Sequence, residues 1–248
     1  MPINNKITTR YLNKTTAISD AFTLRLDRTL DVLDGMVQQY ISAQYNSRNL
    51  VDISLARQQV EQMLVDSGYY DVVGNLLDEG AQDVLQNSYD KYRAYYGEGL
   101  SVSPVSLQRI DILRTASYDN LVKLGTLTRD TLAQQIVSLQ FAATTRQGAI
   151  DAVASTLNDT ARRYAGTYVE TATTSFYRAS NEVIASDSGL RIFEYAGPND
   201  RITRPFCARH IGERKTLEEW DSLDNGQIGP VSLYCGGYNC RHELVGIG

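Results

Sequence analysis

The first 206 residues contain no cysteine and no histidine. All three Cys and both His of the 248-residue chain fall beyond that point. An odd number of cysteines argues against the fully paired disulfide framework of a small secreted domain. No apolar run approaches the roughly 18–20 residues that a membrane-spanning helix needs. The stretch Met1-Pro2-Ile3-Asn4-Asn5-Lys6 lacks the basic-then-apolar layout of a secretory leader. There is no basic tail: the net charge is −5, and the first hundred residues carry 9 basic against 13 acidic groups. That balance argues against a strong DNA binder, which needs a cationic surface to displace counterions. Internal repeats and low-complexity tracts are also lacking.

What is present is helical periodicity. Leu26, Leu30, Leu33, Val37 and Tyr40 recur at 4-3-4-3 spacing, which places them on one face of a helix. Ile53, Ala56, Val60 and Met63 repeat the pattern before Gly68-Tyr69-Tyr70 interrupts it. A third stretch carries Val73, Leu76, Leu77, Val84 and Leu85 and runs into Tyr89, Tyr92, Tyr95 and Tyr96, with Gly97 and Gly99 ending it. The tyrosines read as packing rather than as a platform for stacked bases. Ser103-Pro104 predicts a helix start, carrying Ile110, Leu113, Leu121 and Leu124. Gly125 is expected to break the chain before a helix with Leu132, Ile136 and Leu139. Further helices are expected over about 146–157 and, as the longest, about 159–186.

The character changes at Gly189. Residues 190–195 alternate like a strand, and three of the five prolines follow, at 198, 205 and 230. Thr216 and Glu219 stand as a capping box for a short helix over 216–223. His242 to Ile247 is placed to close a small sheet. The expected fold is therefore mainly α, a helical bundle body with a small α+β Cys/His-containing C-terminal module. The expected division is 1–100, 101–188 and 189–248. Because the bundle pattern ends before Gly189, the helical part is expected to fold without residues 190–248.

The Cys/His residues gather as Cys207-Ala-Arg-His210, Cys235, and Cys240-Arg-His242. Thiolate and imidazole are the usual zinc ligands, and a tetrahedral site needs four of these five. The preferred set is Cys207, His210, Cys240 and His242, with Cys235 as the alternative ligand. A metal-free arrangement of reduced, partly buried thiols beside two hydrogen-bonded histidines stands as the other reading. No catalytic motif accompanies the cluster. A zinc deaminase needs H-x-E followed by P-C-x-x-C, and His210 is followed by Ile211-Gly212. His242-Glu243 begins a metalloprotease motif without a second histidine. Pairing Cys207 with a histidine as a nucleophile finds no oxyanion-forming motif, so no enzyme is expected.

The run Tyr195-Ala-Gly197-Pro-Asn-Asp200-Arg-Ile-Thr203-Arg204-Pro-Phe-Cys207, followed by Gly212 and by Cys240-Arg241-His242, resembles the C-terminal signature of Mu F-like phage minor head proteins, the phage head morphogenesis domain family. The likeness covers about residues 110–247 and is specific over the last 55. It implies a structural virion protein of a tailed phage, assembled in the host cytoplasm and placed in the phage head at the portal vertex or inner capsid. It implies portal or capsid proteins as partners, at most weak contact with packaged DNA, no membrane, and a role in head assembly or genome delivery. The residues themselves suggest a hydrogen-bonded loop in which Asp200 caps turn N–H groups and Arg204 pairs with a carboxylate. The alternative reading is a zinc-stabilised nucleic-acid-binding module on a helical scaffold, which would gather Arg201, Arg204, Arg209, Arg214 and Arg241 on one surface.

Overall fold

A computed structural model describes residues 5–47, 50–97, 102–142 and 144–247. Gly99, expected to end a helix, lies outside the described residues. The elements run α1 (Asn5–Ser47), α2 (Ile53–Asp66), α3 (Tyr69–Asn75), a π turn (Leu76–Gly80), α4 (Ala81–Tyr96), α5 (Pro104–Leu139), α6 (Arg146–Leu157) and a second π turn (Asn158–Arg162). They continue with α7 (Arg163–Asp187), β1 (Ile192–Ala196), α8 (Pro205–His210), β2 (Arg214–Lys215), α9 (Leu217–Asp221), α10 (Val231–Tyr234) and β3 (Glu243–Ile247). The fold is mainly α with a small α+β C-terminal module.

Two compact units form, and neither is a consecutive stretch. One comprises Met1–Asp20, Leu77–Tyr118 and Val169–Gly248, and the other Ala21–Leu76 and Asp119–Tyr168. The boundaries thus differ from a division at residues 100 and 188. The long helices α1, α5 and α7 each give one end to each unit, so linear sequence order cannot mark the division.

Among the described residues, the second unit consists of helices joined by short turns and coil. Its 4-3 face is realised: Leu26, Leu30, Leu33 and Val37 are all buried, together with Ala56, Val60 and Leu64 of α2. Each large aliphatic side chain buried this way contributes about 1.5–3 kcal/mol. Gly125 does not break α5, which runs 36 residues through it. The reason is steric: a Cβ at 125 would lie 2.8 Å from Cε1 of Tyr69, so the glycine lets that ring lie against the helix. The Tyr69 hydroxyl then donates to the Leu121 carbonyl at 2.9 Å. The longest helix is α1, with 43 residues, rather than the segment beginning near 159.

The first unit holds the C-terminal module. Its sheet has the order β2-β1-β3, antiparallel, with Tyr195 opposite Leu244 and Phe193 opposite Lys215. The predicted capping box closes α9 through Thr216 and Glu219. That helix buries Trp220, whose indole N–H donates to the Phe193 carbonyl at 2.9 Å. The tyrosines of α4 pack as expected: the Tyr96 hydroxyl donates to the Gly246 carbonyl at 2.6 Å, and the Tyr92 hydroxyl accepts from the Gly246 N–H at 3.2 Å.

Every residue of α7 from Thr171 to Ala185 is buried, although many of them are polar. A helix buried all round needs partners for its polar groups. Thr174 and Ser175 bond back to carbonyls of α7 itself, while Arg178 and Asn181 find their partners in the module. Module, α4 and α7 therefore share one core, with Tyr92, Ile184, Phe193, Tyr195, Trp220 and Leu244 in a single buried cluster. The helical part, expected to fold without residues 190–248, shares this core with them, and their removal would take away the module partners of Arg178 and Asn181.

Candidate metal centre

Two local geometries bring the donors together. Proline at the first position of α8 fixes the helix start, and Cys207 sits one turn in, on the buried side. Cys240 and His242 lie two residues apart in the extended segment entering β3, which points both side chains to the same side. Cys207, Cys240 and His242 then form a group whose donor atoms all lie within 4.8 Å of one another. All three residues are buried. These residues could hold a metal ion.

Two of the three donor–donor edges fit a tetrahedron, and the third, from Cys207 to His242, is within 4.8 Å. With Zn–S near 2.3 Å and Zn–N near 2.05 Å, tetrahedral angles give an S···S edge of about 3.8 Å and an S···N edge of about 3.6 Å. The Cys207 and Cys240 sulfurs are 3.7 Å apart. Cys240 Sγ and His242 Nδ1 are 3.6 Å apart. His242 Nε2 is buried with no hydrogen-bond partner among the described residues. With Nδ1 toward the sulfurs, Nε2 is the nitrogen that a carbonyl or carboxylate would hold, whether the ring ligates a metal or only packs.

The surroundings favour one thiolate and shape the space for it. Cys240 is driven well below its ordinary thiol range by its hydrogen bond with Cys207, helped by His242 and the nearby Arg178 charge. Cys207 is driven up by the same shared hydrogen bond and by burial. The Gly236 N–H donates to Cys240 Sγ at 3.2 Å. A Cβ on Gly236 would overlap the Cys207 sulfur, so glycine is what permits the backbone to come this close. The Tyr195 hydroxyl donates to Cys207 Sγ at 3.3 Å, and burial pushes that phenol far above its ordinary range, so it stays a donor.

Behind the donors stands Arg178 of α7. Its Nε donates to the His242 carbonyl at 2.8 Å, Nη1 to the Leu233 carbonyl at 3.1 Å, and Nη2 to the Cys240 carbonyl. One buried guanidinium thus clamps the backbone of two of the three donors. Lys91 of α4 pairs with Glu243, the residue after His242, and Asn181 Nδ2 donates to the same carboxylate at 3.0 Å. Sequence spacing alone assigns neither Arg178 nor Lys91 to the site. Their partners lie 55 to 64 and 152 residues away, so no local spacing could reveal them.

His210 does not join the group. Its ring packs against Phe206 at 4.6 Å between centroids, and Nδ1 lies 2.9 Å from the Glu213 carboxylate. Cys235 is fully buried nearby, and burial raises its thiol above the ordinary range, but its sulfur is not in the group either. The preferred four-donor set is thereby reduced to three of its members.

The other signature residues build the frame. Asp200 accepts from the Ile202 N–H at 3.1 Å, capping the turn as expected. Its two oxygens also take a bidentate pair from Arg241, at 2.7 and 2.8 Å, which holds the Asp200 carboxyl well below its usual range. The Thr203 hydroxyl donates to the Pro198 carbonyl at 3.1 Å. Arg204, expected to pair with a carboxylate, has no such partner among the described residues; Nη1 donates to the Gly236 carbonyl at 2.9 Å. Gly197 lies against the His242 imidazole, where a Cβ would clash with the ring. The Gly212 N–H donates to the Tyr195 carbonyl at 2.8 Å. Ile202, Thr203, Arg204, Asn239 and Arg241 join the three donors around a cleft of about 170 Å³.

Comparison with protein-family models, with curated proteins and with solved structures finds no match. Among the described residues, no helix is long and apolar enough to cross a membrane.

Proposed function

We propose that this chain is a structural minor head protein of a tailed phage, acting at the portal vertex in head assembly or genome delivery, with a zinc ion fastening its C-terminal module. The observation that carries the reading is the behaviour of the signature residues. Tyr195, Gly197, Asp200, Thr203, Arg204, Cys207, Gly212, Cys240 and Arg241 hold one another and the Cys/His trio in a single knot. A knot of this kind stiffens a recognition element, and in this reading it performs no catalysis.

Zinc suits two thiolates and an imidazole in a buried tetrahedral frame, and its binding energy would add directly to the stability of the module. Cys207, Cys240 and His242 hold it; Arg178 fixes the Cys240 and His242 backbone; Gly236 and Tyr195 donate hydrogen bonds to the sulfurs. A protein partner is favoured over nucleic acid because two of the five arginines that would mark a nucleic-acid surface are paired with carboxylates. Arg214 pairs with Glu194, and Arg241 with Asp200.

Quantitative mass spectrometry of purified heads tests the assignment. The chain should be present in low copy together with the portal protein, and should co-purify with a portal ring when the two are expressed alone. Absence from heads assembled in its presence contradicts the reading.

A further inference from the structure

The donor group is incomplete as a closed tetrahedron. Among the described residues it holds three donors, and no Asp or Glu oxygen comes within the same 4.8 Å. The nearest spare thiol belongs to Cys235, whose backbone is pinned. Its N–H donates to the Val231 carbonyl at 2.8 Å, and its carbonyl accepts from Asn225 Nδ2 at 2.8 Å. All three donor residues also line one cleft. Three protein ligands and an opening are the arrangement in which a metal keeps a position for an exchangeable ligand.

The charge around the cleft selects the kind of ligand. Two thiolates and a neutral imidazole balance a divalent cation. Arg178 lies directly behind the donors, and Arg204 and Arg241 line the cleft. Against these three cations stand Asp200, paired with Arg241, and the half-buried Glu170, whose carboxyl feels all three arginines. Lys91 and Glu243 cancel each other. Asp20 also acts on Glu170, so the wider count closes near balance; Arg204, which lines the cleft and bonds a backbone carbonyl, is the cation that an anionic ligand would meet there.

Resting on the metal reading above, we propose that the ion held by Cys207, Cys240 and His242 keeps one open position facing the cleft at residues 202–204 and 239–241, and binds there a carboxylate oxygen. The carboxylate comes either from a small molecule or from an acidic side chain presented by a partner protein. In both cases the ligand bonds to the metal through oxygen and is steadied by Arg204.

The test uses the full-length protein loaded with Co2+, whose visible absorption reports the ligand set. Bound cobalt is counted first. Sodium acetate should then shift the bands saturably, and Arg204→Gln should weaken that response several-fold. Cys235→Ala should leave both the cobalt count and the acetate response unchanged. A capped Gly-Glu-Gly peptide that reproduces the acetate shift, where Gly-Gln-Gly does not, identifies a side chain as the source; a shift with acetate alone identifies a small carboxylate. Bands that ignore both probes, or a Cys235→Ala protein that loses a sulfur-to-cobalt band, overturn the open position while leaving the metal reading intact. A protein that binds no cobalt overturns both.

Discussion

Lys91 and Glu243 form an ion pair in which both side chains are wholly buried, across 152 residues of sequence. Burial dominates both groups, lowering the lysine and raising the glutamate from their ordinary values, and each is drawn back by the other. A pair of this kind adds little net stability, but breaking it leaves one charge buried and uncompensated. Lys91→Met should therefore cost about 3–5 kcal/mol in urea unfolding. The double variant Lys91→Met/Glu243→Leu should recover most of that loss. A single variant as stable as the wild type would show that the pair is not buried.

Arg178 should be equally sensitive for a different reason. Its three carbonyl acceptors belong to Leu233, Cys240 and His242, and hydrogen bonds from a charged donor contribute about 1.5–3 kcal/mol each. Arg178→Lys keeps the charge but loses the fork that reaches all three. It should lower the melting temperature and weaken metal affinity by about 10- to 100-fold, as loss of groups behind a metal site does. Competition with a chromophoric chelator gives the affinity directly.

Glu182 supplies a pH test away from the donors. Its carboxyl is raised from the ordinary value by burial, against the pull of Arg109 and Ser186. A carboxyl raised in the folded state contributes stability that is fully present below the unfolded value and is lost as pH rises through the folded one. Glu182→Gln should therefore raise the melting temperature at neutral pH and leave it nearly unchanged below about pH 4, where both forms are neutral. An effect of equal size at both ends would assign the change to packing instead.

Much of the fold is legible in the sequence because it follows from local rules. The face Leu26-Leu30-Leu33-Val37, the Thr216/Glu219 box and the strand ending in Tyr195 need only periodicity and capping chemistry. Gly125 misleads because its reason is a Tyr69 ring from another helix, which no window around 125 contains. At the site, the crowding of Cys and His points to the region but not to the trio, since it offers His210 as well, and the C-x-H spacing explains why Cys240 and His242 face together. His210 shares a helix with Cys207, yet Phe206 and Glu213 take its ring, a competition decided by tertiary packing. The partners of Arg178 and Lys91 escape the sequence for the same reason: they arrive only when the module folds onto α4 and α7.

Metal analysis of the native, full-length protein under reducing conditions tests the central claim most directly. About one zinc per chain is predicted, removed by a chelator with a fall in melting temperature. It should be retained in His210→Ala and lost in His242→Ala and Cys240→Ser. Native protein that carries no metal, with Cys207, Cys235 and Cys240 all freely alkylated, would contradict the account.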